Sequence, residues 1–117
     1  MERTLRSILI MTASLLLATA VLAGGEEDAA TRLMATMAWA RNNCPRLVVH
    51  SEEVQAAMEA MNVDPWELTK NRQRVIQGQN IYNALRGLGA MVPEFCRSLD
   101  AAFGKNGTER RGLVSLR

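Results

Sequence analysis

The sequence predicts an all-α fold, a small bundle of three to four helices stapled by one disulfide, after an N-terminal signal peptide. Three observations predict it. The chain opens on a basic, then apolar, then small-residue pattern of the kind that directs export. Beyond it, apolar residues recur at helical spacing between clear stops, and no alternating run is long enough for a sheet. Two cysteines, Cys44 and Cys96, both fall in the exported part, where an oxidising compartment pairs an even count.

The leader comes first. Arg3 and Arg6 give a short positive region, and Ser7 to Ala23 then runs 17 residues without a charge. Val21-Leu22-Ala23 supplies the small residues a signal peptidase reads, Gly24-Gly25 breaks any helix, and Glu26, Glu27 and Asp28 restore polarity. The alternatives are a transmembrane anchor or a buried helix, but the run is at the short edge of what spans a bilayer. Cleavage after Ala23 is expected, giving residues 1–23 as signal peptide, 24–104 as helical domain and 105–117 as a flexible tail that Leu113, Val114 and Leu116 could still dock weakly. No later stretch is long or apolar enough to span, so no stable membrane insertion is expected after cleavage. The destination is the periplasm or the exterior.

Loss of residues 1–23 removes two arginines and one glutamate from 14 basic and 12 acidic residues, leaving a net charge near +1. That balance argues against nucleic acid as a partner. About 94 residues make one domain with a modest core, of a size that often needs a covalent staple. A Cys44–Cys96 bridge would supply about 4 kcal/mol by chain entropy. A reactive thiol or a metal-ligand role is the alternative, but neither cysteine has a CxxC partner or a nearby His pair.

The first helix is expected from about Glu27 to Asn43, with acids where the helix dipole favours them and Ala30, Leu33, Met34, Met37 and Ala40 on one side. Pro45 ends it. Leu47-Val48-Val49 is too short to build a sheet and is expected as an extended connector. Ser51 is the expected cap of a second helix carrying Val54, Ala57, Met58 and Met61 and ending near Asn62. The strongest local signal follows: Asp64 caps, Pro65 suits the first helical position, and Val63 and Leu68 can form a hydrophobic staple. This third helix is expected to run to about Arg86. Its broad apolar arc (Leu68, Val75, Ile76, Ile81, Tyr82, Leu85) makes it the expected central helix, with Gly78 permitting a close approach or a bend. Pro93 opens a fourth helix, with Phe95, Leu99, Ala102 and Phe103 as its buried stripe and Gly104 as its stop.

The chemistry is sparse. No catalytic residue and no cofactor is predicted. His50 is the only histidine and sits beside a helix start. Glu52, Glu53 and Glu59 could form paired carboxylates, but Glu52 and Glu53 occupy a first turn where acids are stabilising anyway, so a solvated helix start is expected. Met34 and Met37, with Met58 and Met61, form two MxxM pairs. Soft thioethers suit Cu(I), although this is equally core spacing. Lys70, Arg72 and Arg74 read as a solvated face, and Trp39 and Trp66 as core-rim anchors. Asn106-Gly107-Thr108 matches a glycosylation acceptor, relevant only in a eukaryotic secretory pathway.

Small size, export, helices and one long-range disulfide together resemble the periplasmic acid-stress chaperones of the HdeA type. The resemblance is one of architecture, with no shared residue motif. The function expected is therefore a non-enzymatic binding, accessory or chaperone-like module acting on an unidentified protein partner. The alternative is a Cu(I)-binding protein using Met34, Met37, Met58 and Met61, with metal otherwise absent from the reading.

Overall fold

Glu26, Glu27 and Asp28 mark the start of helix α1 (Gly25–Asn43), where unpaired backbone N–H groups favour negative charge. The computed structural model describes residues 25–117, so the leader assigned to 1–23 lies outside them. After α1 come strand β1 (Leu47–Val49), helices α2 (Ser51–Ala60), α3 (Pro65–Lys70) and α4 (Arg72–Arg86), a 3₁₀ turn (Gly89–Met91), helix α5 (Val92–Phe103) and strand β2 (Val114–Leu116). The described chain is mostly helical and carries one disulfide, Cys44–Cys96.

Helix α1, not the third predicted helix, is central. It buries Ala30, Leu33, Ala35, Met37, Trp39 and Ala40, and the alanines let neighbouring elements approach on more than one side. Helix α4 packs along α1 but buries none of its residues fully, and Ile76 stays 47% exposed. The two helices are tied at both ends. Arg74 Nε lies 3.3 Å from Glu27 Oε2, and Asn42 Nδ2 donates to the Tyr82 hydroxyl at 3.1 Å. Gly78 faces Thr31 between these ties. A Cβ there would sit 3.8 Å from Thr31 Cγ2, an ordinary contact, so the glycine is not forced by crowding.

The third predicted helix is broken at Asn71. Asn71 has extended backbone (φ −86°, ψ 108°), and its Oδ1 accepts from the N–H groups of Gln73 and Arg74 at 3.1 and 3.3 Å. An asparagine that can cap competes with the helix passing through it. The start at Asp64 forms as read: its carboxylate accepts from Trp66 N at 2.9 Å, Pro65 opens the helix, and Val63 and Leu68 are both buried. Ser51, expected as a cap, is instead the first residue of α2, and its hydroxyl takes a hydrogen bond from Arg41. Helix α2 ends on Asn62 in the left-handed region (φ 62°), with Asn62 N bonded to Glu59 O and Val63 N to Met58 O. These bonds satisfy carbonyls that the helix leaves open, while buried Val63 and Met58 supply the accompanying apolar residues.

The departure from an all-α fold lies at the C-terminus. Leu47-Val48-Val49 is not a lone connector. It pairs antiparallel with Val114–Leu116 in the register Leu47↔Leu116, Val48↔Ser115, Val49↔Val114. The segment expected as a flexible tail is held by backbone bonds. Carbonyls at the end of α5, orphaned by helix geometry, accept from it: Ala101 O from Thr108 N, Ala102 O from Glu109 N, and Phe103 O from Leu113 N. Gly107 is required there, because a Cβ would lie 2.3 Å from Arg110 O, and Gly112 turns the chain at φ +81°. The turn delivers Leu113 and Val114 into the core, where Val114, at 0% exposed, joins the buried cluster that also holds Trp39, Met58 and Cys44.

Candidate functional site: a groove beside the disulfide

Pro45 stops α1 and swings the chain into β1. Cys44 N still bonds to Ala40 O at 2.8 Å, and Leu47 N bonds back to Cys44 O at 3.0 Å, so the half-cystine sits on a fixed turn. Across from it, α5 presents Val92, Cys96 and Asp100 at four-residue spacing, with Pro93 and Arg97 on the adjoining row. The bridge joins the two (Cα–Cα 5.7 Å), and the Trp39 and Phe95 rings meet edge to face nearby, centroids 5.3 Å apart. The predicted pairing of Cys44 with Cys96 is thus the one formed.

A groove of about 650 Å³ runs along this junction. Its apolar lining is the disulfide, Pro45, Leu47, Val92, Pro93 and Leu116, and Asn43, Arg46, Arg97 and Asp100 supply its polar groups. Strand pleat explains why it is apolar. Leu47, Val49, Val114 and Leu116 share one face of the ribbon, and Val48 and Ser115 take the other. Leu47 and Val114 on that face are buried, yet Leu116 is 64% exposed, because none of the described residues covers the last step of the core face. Arg46 and Arg97 are exposed, and among the described residues neither has a carboxylate within 4.0 Å.

The residues singled out in the sequence lie elsewhere. His50 Nε2 is 2.8 Å from Ser115 Oγ, a hydrogen bond on the outer face of the ribbon. Glu52, Glu53 and Glu59 are exposed on α2. Of the basic trio, Arg74 turns onto Glu27 and Asp28, Lys70 pairs with Glu67 at 3.7 Å, and Arg72 stays exposed. Trp39 is a core residue rather than a rim one, whereas Trp66 is 71% exposed. Asn106 and Thr108 are exposed on the turn that Gly107 closes.

The four methionines divide three to one. Met34, Met37 and Met58 line a common cavity of about 200 Å³ between α1 and α2, together with Arg41, Val54 and Pro65. Met61 faces a different cavity with Leu33, Thr36 and Phe103. Among the described residues no three of His, Cys, Asp and Glu gather as a metal would require, and no helix is long and apolar enough to cross a membrane.

The groove residues carried one sequence signal that motif reading passes over. Both half-cystines are flanked by proline, an aliphatic residue and arginine: Pro45-Arg46-Leu47 after Cys44, and Val92-Pro93 and Arg97 around Cys96. A bridge necessarily brings such flanks together. Comparison with protein-family models, with curated proteins and with solved structures found no match to this chain.

Proposed function

We propose that this chain is a non-enzymatic binding module, acting after export, that takes an apolar segment into the groove beside Cys44–Cys96. Leu116 carries the reading. Strand pleat assigns it to the core face, yet it is 64% exposed at the edge of an apolar concavity. A continuous apolar hollow with a few polar groups at its margin suits a ligand, and its volume falls in the range of ordinary ligand sites. An accessory or chaperone-like role would use the same surface. His50 engaged with Ser115, and acids dispersed over an exposed helix, support binding rather than catalysis. Export is supported by the leader pattern and is compatible with the disulfide.

The test uses an uncharged apolar probe, Nile red, with the full chain and with Leu116→Asp. Saturable fluorescence in the parent, abolished in a variant of unchanged circular dichroism, is expected. Equal fluorescence in both removes the groove from the reading. Intact-mass measurement of exported material should show a chain beginning at Gly24 with no free thiol.

The cavity shared by Met34, Met37 and Met58 favours a second reading, a three-thioether Cu(I) site. Titration with Cu(I) against a competing chelator tests it. Met61→Leu should leave affinity unchanged, and the Met34, Met37 and Met58 triple Leu variant should lose it. Equal affinity in parent and triple variant ends that reading.

A further inference from the structure

We propose that the ligand of this groove is a single-chain anionic amphiphile, a fatty carboxylate whose head group is held by Arg46 and Arg97. The proposal rests on the reading of the groove as a binding site and adds the chemical class of its occupant.

Charge complementarity carries it. The groove is lined by two arginines and one aspartate, Asp100, so the charge of its lining residues is net positive. Neither arginine has a carboxylate within 4.0 Å among the described residues, whereas Arg32 and Arg74 on the α1–α4 side each do. Among the described residues, the cations that pair with acids, Arg32, Lys70 and Arg74, are therefore distinct from those at the groove. Arginine's planar fork suits a carboxylate, which can accept two parallel N–H bonds. Arg46 immediately precedes β1 and Arg97 lies on α5, so the two come from different elements, each close in the chain to one half-cystine. The rest of the lining is mainly aliphatic and proline side chains and the disulfide, and among the described residues no buried polar side chain is left unpartnered to demand a polar ligand. An apolar hollow whose lining includes arginines with no carboxylate partner among the described residues matches a molecule that is itself apolar at one end and anionic at the other.

The experiment is calorimetric titration of the full, disulfide-intact chain with dodecanoate and with dodecyltrimethylammonium, both below their micelle concentrations. Dodecanoate is expected to bind one per chain and at least about tenfold more tightly than the cationic amphiphile. Decanoate, two methylenes shorter, should bind roughly tenfold more weakly than dodecanoate. Arg46→Gln with Arg97→Gln, both exposed positions, should erase the preference for the anion. Leu116→Asp should abolish binding of both amphiphiles. Equal binding of the two head groups, or a preference that survives the double Gln variant, overturns the proposal. If neither amphiphile binds while Nile red still does, and is lost in Leu116→Asp, this inference fails and the groove reading stands. If Nile red shows no Leu116 dependence either, both fail together.

Discussion

Replacing both half-cystines by alanine probes fold and groove at once. Cys44 and Cys96 are 52 residues apart in the chain. Closing a loop of that length removes chain entropy from the unfolded state worth roughly 4 kcal/mol at room temperature. A domain of this size has about 5–15 kcal/mol of net stability, so the loss is a major fraction of it. At roughly 4–8 °C per kcal/mol for a domain of 60–100 residues, the melting temperature should fall by about 15–30 °C. The local consequence follows from where the bridge lies. It joins the end of α1 to α5, and that junction is the groove. Nile red binding, measured well below the variant's melting point, should therefore fall while far-ultraviolet circular dichroism keeps its helical form. Thermal unfolding of the parent, of the double alanine variant and of the parent under reductant gives three curves, of which the last two should agree. A double variant melting within about 5 °C of the parent, with binding intact, would refute the argument that this staple holds both the fold and the site.

Other perturbations follow from single contacts. Gly78→Ala should stabilise by about 0.5–1 kcal/mol in urea unfolding, because a Cβ meets only Thr31 Cγ2 at an ordinary distance and a helix interior favours alanine. Asn71→Ala removes the side chain that accepts from Gln73 N and Arg74 N. It should destabilise by about 1 kcal/mol, read as a lowered urea midpoint with unchanged slope. Gly107→Ala forces a Cβ to within 2.3 Å of Arg110 O. It should release the C-terminal segment, seen as faster amide exchange at Leu113 and Val114.

What could be read from the sequence was local chemistry with a mechanism inside a few residues. Asp64, Pro65, Val63 and Leu68 specify a helix start without help from elsewhere, and the start forms as read. The Cys44–Cys96 pairing was also legible, because two cysteines allow one bridge. Asn71 escaped because the apolar period running from Leu68 to Leu85 continues straight through it, and period counting has no means of seeing a side chain cap its own backbone. The placing of α4 at the centre failed for a related reason. An apolar arc records which residues prefer burial, not whether an element exists to cover them, and Ile76 stays 47% exposed among the described residues. The ribbon was out of reach because neither three-residue strand carries enough alternation to announce itself, and the partners Leu47 and Leu116 stand 69 residues apart in the chain. The groove compounds these difficulties, since its lining is drawn from the end of α1, both strands and α5.

The C-terminal segment links these features. The carbonyls at the end of α5 need donors, and residues 107–113 supply them, which fixes the path of the chain toward β1. That path sets the register, since Leu113 O accepts from His50 N and Arg117 N reaches Arg46 O at the two ends of the ribbon. The register decides that Val114 fills the core and that Leu116, two residues on, falls at the uncovered margin over the disulfide. A slip of one residue would turn both side chains to the outer face and put Ser115 in the core in place of Val114. The burial of Val114 thus prevents the slip, and the exposure of Leu116 is a consequence of a register enforced by the core rather than of a frayed end. An exposed leucine at a loose terminus would carry no functional meaning. At a position held by this many independent contacts, it marks a surface that the fold keeps in place.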